Sequence, residues 1–317
     1  MKSNRIPIVI LAIITPFLTE LLSANIPASL FFRPKMLLTL IVLYGLPVLA
    51  IREVSIRWKL GLWGIFCLGL AYGIFNEGIC AKTLLMIKNV PICDFDGYSF
   101  LTLNLAWSSL IVPWHAFHAV LYPIVIVSAA FPRSYENTWL TKKILMIIGL
   151  LFTLRGIAIF FNSSHFTALP IYLAVFIGLI VSIIIVSRVV PQKPSLTVSG
   201  QKAFIYPAIL GSIFYMTYML GLMSLAQAKV PTLVLFGYAV LTIAVFYRVM
   251  KAKKWLTLPA LASFGIGDYF GVAIISFFDG YVKSSKEVII TSIVFMIIFI
   301  IMIIYLKNRI STPIKNT

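Results

Sequence analysis

The stretch KVPTLVLFGYAVLTIAVFYRVMKAKKW, residues 229–255, decides the fold class. Residues 231–249 form an almost unbroken apolar run. A bilayer crossing needs about 20 such residues. A single lysine, Lys229, precedes the run, whereas Arg248, Lys251, Lys253 and Lys254 crowd its other end. Lys and Arg gather on the cytoplasmic side of membrane proteins, so the stretch reads as a span with a direction.

The same reading repeats along the chain and gives about ten spans, near 6–24, 36–51, 60–80, 108–131, 144–162, 168–187, 204–226, 231–249, 255–277 and 287–306. The run 36–51 is short, and Pro47 near its end is a kinking residue. Eighteen basic residues fall in alternate gaps: at Lys2 and Arg5, around Arg52 to Lys59, Arg133 to Lys143, Arg188 to Lys202, Arg248 to Lys254, and Lys307 to Lys315. Seven fall in the other gaps: Arg33, Lys35, Lys82, Lys88, Lys229, Lys283 and Lys286. Arg155 stands inside a span. This split predicts both termini in the cytoplasm. Arg33 and Lys35 are the pair that opposes it.

Composition agrees. Of 317 residues 61% are hydrophobic and only 11% charged, against about 25% charged in an ordinary soluble domain. The mean hydropathy is +1.03. The formal net charge of +17 belongs to loops that anchor on anionic headgroups. No basic run is interleaved with aromatics in a polar segment, so the chain is expected to bind no nucleic acid. The first apolar run follows Lys2 and Arg5 as a signal peptide would. Without a small-residue cleavage site it reads as an uncleaved span. The expected architecture is an all-α, polytopic transmembrane helix bundle, one integral membrane domain over residues 1–317. Its expected location is a bacterial cytoplasmic membrane, its first partner the lipid bilayer. An even span count also admits two inverted halves, 1–162 and 168–317, a common transporter plan, although no motif repeats between them.

A charge inside a span is expensive and marks function by default. Glu20, Glu77, His115, His118, Arg155 and Asp268 are such residues, and all six fall in the predicted outer half of the bilayer. His115 and His118, three apart, are expected on one helix face, with Glu77 at a similar depth. A carboxylate in an apolar wall suits general-base chemistry; the bland reading makes Glu77 a tie to Arg155 or to a histidine. The histidine spacing lacks the i, i+4 pair with intervening Glu of zinc proteases, so no metal is assigned. Arg155 calls for a carboxylate from Glu77, Glu20 or Asp268, or else clamps an anionic headgroup or carboxylate. Gly69 to Gly73 and Gly267 to Gly271 are small-residue packing motifs beside the two acids, which suggests that the third and ninth spans meet around the site. The longest outward connection, 82–107, joins the Glu77 span to the histidine span. It reads as a lid, a re-entrant segment or a plain connector. Cys80 and Cys93 would both face the oxidising side, where a disulfide could close a short loop. Cys67, in mid-span, reads as packing.

Several stretches resemble a family of uncharacterised multi-pass bacterial membrane proteins: Thr19 to Ser23, Tyr44-Gly45, Ile51 to Val54, Arg57-Trp58, Tyr72 to Gly78 and His118-Ala119. In that family the Asn76 position resembles a second Glu, and the family carries no activity with it. A second likeness is to the CPBP intramembrane proteases, which pair a Glu-Glu-x-x-x-Arg motif with a Phe/Trp-x-x-x-His motif. Trp114 to His118 fits the second motif. Asn76-Glu77 fits the first in part, with one Glu missing and Lys82 one residue past the Arg position. This resemblance implies Glu77 as base for a water and His118 as its partner or oxyanion stabiliser.

Three functions follow as expectations. The first is an intramembrane hydrolase or transferase using Glu77 and His118, with His115 as a further candidate, on a small-molecule, lipid or peptide substrate. The second is a proton- or ion-coupled transporter of a small solute or lipid, with Glu20, Arg155 and Asp268 among its binding groups. The third is a non-catalytic membrane partner whose buried charges tie helices together.

Overall fold

The computed structural model of the chain describes residues 5–86, 88–89, 95–100, 103–162, 170–189 and 202–311. The helices are α1 (5–21), α2 (Ala28–Phe31), α3 (Pro34–Arg57), α4 (Leu62–Cys80), α5 (Leu105–Ala130), α6 (Lys142–Asn162), α7 (Pro170–Val189), α8 (Lys202–Gln227), α9 (Thr232–Ala252), α10 (Leu258–Val282) and α11 (Lys286–Ser311). Among the described residues nine helices, α3 to α11, are long and apolar enough to cross a membrane. The shorter α1 completes the ten runs read from sequence. The short run 36–51 is extended at both ends by continuous helix over Pro34–Arg57.

The ends of the bundle alternate as the basic residues do. At one end Tyr98 Oη donates to the Ala226 carbonyl at 2.9 Å, and the Ser29 amide donates to Glu287. At the other, Arg52 reaches the 134–137 turn. Several helices close there and here with a non-glycine residue at positive φ: Lys59, Lys229, Lys254 and Ser284. The amide that follows each bonds back five residues, as in Leu60 to Ser55 and Trp255 to Met250, which satisfies a terminal carbonyl.

The centre of the bundle is α5, packed by α1, α4, α9 and α10; α10 lies in turn between α8 and α11. Most of α5 and α10 is buried, whereas α6, α7 and α11 leave most of their apolar surface uncovered. Met146, Phe161, Val189 and Ile301 are among the exposed side chains there. In water that surface would be untenable; in a bilayer it is the lipid contact.

The small-residue motifs serve other partners than expected. A Cβ on Gly69 would meet Ala116 at 2.7 Å, and one on Gly73 would meet the Val112 carbonyl at 3.0 Å, so both seat α4 on α5. A Cβ on Gly267 would meet the Ala208 carbonyl at 1.8 Å, which seats α10 on α8. The third and ninth spans are therefore packed on different neighbours, with α5 between them.

Four helices widen into π-helical turns: α1 over Phe17–Leu21, α3 over Ile41–Gly45, α4 over Ile74–Cys80 and α5 over His115–Leu121. Prolines explain part of this. Pro16 precedes the first turn, Pro47 follows the second, and Pro113 and Pro123 flank the fourth. A proline has no N–H and strands a carbonyl one turn back, and local π adjustment with outside donors restores the pairing. The donors here are tyrosines. Pro47 strands Leu43 O, and Tyr72 Oη donates to it at 2.7 Å. Pro113 strands Ser109 O, which Tyr218 takes up. In the π turn of α5, Tyr122 N bonds back to Phe117 O, so the next donor would be Pro123. His118 O consequently lacks a backbone partner, and Tyr269 Oη supplies the hydrogen bond.

Candidate functional site

The π turns carry four of the six ionisable residues that the sequence singled out; Arg155 and Asp268 lie in regular α-helix. Glu20 lies in the first, Asn76 and Glu77 in the third, and His115 and His118 in the fourth; Tyr44 lies in the second. The turns of α1, α3 and α4 adjoin the turn of α5 or its neighbours, so these side chains converge. π turns inside α-helices recur at functional sites.

The first cluster is built on Glu77, which is 9% exposed. One carboxylate oxygen accepts from Thr83 Oγ1, whose own oxygen accepts from the Trp107 indole at 3.0 Å. The other lies 3.5 Å from His115 Nε2. His115 Nδ1 is 2.9 Å from the Ile111 carbonyl, an acceptor only, so Nδ1 carries the proton. In the neutral ring Nε2 is then a lone pair. Asn76 Nδ2 stands 3.2 Å from the Glu77 oxygen and 3.0 Å from His115 Nε2. Its two N–H groups thus serve two acceptors, which also fixes the amide's orientation, because its oxygen could donate to neither.

Glu20 closes this cluster from α1. It accepts from Asn25 Nδ2 at 3.0 Å and is hydrogen-bonded by Tyr44. The Tyr44 and Tyr72 rings flank His115, with centroids 6.2 and 5.5 Å from it. Glu20, Glu77 and His115 are buried, while Tyr44 and Asn76 are half-buried and form its accessible edge. The connection after α4 caps the Glu77 end. Its residues Leu84, Leu85 and Phe95 are buried, and Asn104 ties it by donating to the Met86 and Phe95 carbonyls at 3.0 and 2.9 Å. Cys93 lies outside the described residues, and with it the pairing with Cys80.

The second cluster lies deeper. His118 Nε2 is 2.6 Å from Asp268 Oδ1, and Tyr122 Oη donates to Oδ2 at 2.9 Å. Asp268 is fully buried and His118 nearly so, with Trp114 stacked on the imidazole at 3.9 Å. His118 Nδ1 is buried with no hydrogen-bond partner among the described residues.

The two histidines therefore do not share a face toward Glu77. A π turn holds more residues than an α turn, so residues three apart diverge, and only His115 meets Glu77. The expected pairing of His118 with Glu77 gives way to His118 with Asp268. Arg155 departs from expectation too. Among the described residues it makes no ion pair with Glu20, Glu77 or Asp268, and its buried Nε has no hydrogen-bond partner. Each acid is already held by neutral donors or a histidine.

Sequence reading missed Asn76 as the bridge, although its departure from the family's second Glu marked the position. It also missed Arg52, which was counted as a cytoplasmic anchor, and Glu53, which entered only through the family likeness. Both are buried. Arg52 donates to the carbonyls of Ser134, Tyr135 and Asn137 and stacks 3.6 Å over Trp139. Glu53 accepts from the Trp139 and Leu140 amides and from Arg57. All their partners are protein groups, which makes this cluster a clasp between α3 and the 131–141 turn. Among the described residues no group of three or more His, Cys, Asp or Glu is placed to hold a metal ion.

These features define a polytopic helical membrane protein with a polar, acid–histidine centre inside the bundle. The chain belongs to an uncharacterized membrane protein family, whose sequence model matches residues 9–313. No curated protein and no solved structure matches it.

Proposed function

We propose that the chain is an intramembrane enzyme of hydrolase type, with Glu77 as general base and His115 as its partner. One observation carries this reading: a carboxylate and an imidazole lone pair 3.5 Å apart, both bound by one amide. The Asn76 N–H groups occupy the place of a water that donates one hydrogen to each acceptor. Asn76 is half-buried, so rotation of its side chain would open that place. A water held there would lose a proton to Glu77 as its oxygen adds to an electrophilic carbon or phosphorus, and Glu77 would return the proton to the leaving group. Thr83 orients the carboxylate, and the Ile111 carbonyl orients the imidazole. Glu20 and Tyr44 border the entrance.

The proposed setting is a bacterial cytoplasmic membrane with both termini inside, which puts the site in the outer leaflet. The support is the distribution of basic residues along the sequence, 18 in the gaps read as cytoplasmic against 7 in the alternate gaps.

The test is comparison of membranes containing wild-type chain, E77Q or H115Q, with lipids and small peptides profiled by mass spectrometry. A product present with wild type and absent with both variants, at equal amounts of folded protein, is the expected result. Equal product from E77Q would remove the reading.

A second reading is supported by the His118–Asp268–Tyr122 cluster, which continues the line of titratable groups along the same π turn. A proton-coupled carrier would use it as a relay. Proteoliposomes with an interior pH dye would then report a proton flux that D268N abolishes.

A further inference from the structure

Among the described residues, Arg155 is an intramembrane cation that neither the site nor the α3 clasp engages. It lies on α6, a helix with little buried surface, two turns from the outward end at Asn162. The residue is half-buried, its Nε is enclosed, and among the described residues its guanidinium has no hydrogen bond or ion pair. Five donors in a planar fork are thus held at the bundle's edge with no protein anion.

The position adjoins the Glu77 centre. Gly156, the next residue, lies so close to α4 that a Cβ there would meet Phe75 at 2.9 Å and Cys80 Sγ at 3.1 Å. Phe152, one turn earlier, has its ring 5.9 Å from that of Tyr72, and Tyr72 lies 5.5 Å from His115. α6 also packs on the π turns of α3 and α4, which carry Tyr44 and Asn76, the half-buried edge of the cluster. A turn and a half beyond Arg155, Lys82 Nζ donates to the Phe160 carbonyl at 2.8 Å and sits 4.0 Å over its ring. A second positive charge therefore lies on the outward side. The charged and titratable groups of the neighbouring elements are Glu20, Glu77, His115, Lys82, Tyr44, Tyr72 and Cys80, with Arg52, Glu53 and Arg57 of α3 toward the opposite end; the three acids are engaged as described.

We infer that Arg155 clamps the phosphate of an anionic phospholipid, and that such an amphiphile is the substrate class of the Glu77–His115 centre. A cation at this depth, without a counter-charge in the protein, draws one from the bilayer, and a lipid phosphate offers the two oxygens that fit a guanidinium. The acyl chains lie in the bilayer against the uncovered side of α6. The headgroup side faces the Asn76 edge. The substrate assignment rests on the hydrolase reading, whereas the binding assignment does not.

The full chain in neutral detergent is titrated with phosphatidylglycerol, phosphatidylcholine and inorganic phosphate, and binding is read by native mass spectrometry. The wild type is expected to bind phosphatidylglycerol about tenfold more tightly than R155Q, and R155K to fall between, since it keeps the charge and loses the fork. Equal binding by wild type and R155Q, at equal helix content by circular dichroism, overturns the proposal. So does equal affinity for phosphatidylcholine. Displacement by inorganic phosphate overturns the lipid as the source of the anion. E77Q is expected to keep wild-type lipid binding. If it also keeps every conversion that the wild type performs, the enzyme reading fails and the lipid clamp stands.

Discussion

Glu77 and His115 face each other across 3.5 Å, and the two N–H groups of Asn76 are divided between them. Asn76→Leu would leave two buried acceptors without a donor. Loss of a partner to a buried polar group costs about 1–3 kcal/mol each. The variant should unfold at lower temperature than wild type, as followed by circular dichroism in detergent. Asn76→Gln keeps the donors but moves them by a methylene, and should fall between. A Leu variant as stable as wild type would mean that the bridge contributes nothing to the ground state.

Glu77→Gln separates the enzyme from the structural partner. The amide keeps an acceptor for Thr83 and loses the charge, so the stability cost is expected at about 1 kcal/mol. An enzyme loses turnover, with the melting temperature nearly kept. A purely structural acid behaves in the opposite way, with a large loss of stability. Thermal unfolding and membrane product profiles, measured on one preparation, read both quantities.

The three tyrosines that repair proline-stranded carbonyls make a sharper stability prediction. Tyr269→Phe removes the donor to His118 O without changing the ring, and Tyr72→Phe does the same for Leu43 O. Each should destabilise by about 1–3 kcal/mol, the penalty of an unsatisfied buried carbonyl. Tyr281, which is exposed near the end of α10, is the control: Tyr281→Phe should be silent.

These tyrosines also explain where sequence reading stopped. The span at residues 229–255 was legible because apolar length and flanking charge both report directly on the bilayer. Arg52 and Glu53 sit at a span end, where a surface anchor and a buried clasp have the same local sequence; only the 134–140 backbone that they hold tells them apart. The separation of His115 from His118 was hidden for a different reason. An i, i+3 spacing implies one face only when the helix is α, and the widening follows from Pro113 and Pro123 acting together with the distant Tyr218 and Tyr269. Arg155 was legible as a buried charge, but the absence of a carboxylate beside it depends on how Glu20, Glu77 and Asp268 are already engaged.

Asp268 is enclosed completely, and both of its oxygens are used. Asp268→Ala leaves His118 and Tyr122 with no acceptor in an apolar surround. Removal of one member of a buried pair costs about 3–5 kcal/mol, so little folded protein is expected. Asp268→Asn keeps an acceptor for one partner and should fold, with a loss of about 1–3 kcal/mol. Fluorescence-detected size exclusion of the two variants, side by side, tests the order. If both fold equally well, the cluster does not tie α5 to α10.

The tightest helix contact gives the last prediction. A Cβ on Gly267 would stand 1.8 Å from the Ala208 carbonyl, and one on Gly211 would stand 2.0 Å from the Phe264 carbonyl. The atoms in the way are backbone, so α8 and α10 must separate to admit even a methyl group. Such overpacking costs about 1–3 kcal/mol and often more where the backbone cannot yield. The separation would also draw Asp268, next to Gly267, away from His118. Gly267→Ala is therefore expected to lower both stability and any flux or turnover that uses the His118–Asp268 pair. Gly237, on α9, has nothing within 4 Å of an added Cβ. Gly237→Ala should leave function intact and raise stability by a few tenths to about 1 kcal/mol, because alanine is the better helix former. Melting curves of the two alanine variants test the packing directly, and a Gly267→Ala variant as stable as wild type would show that α8 and α10 do not approach this closely.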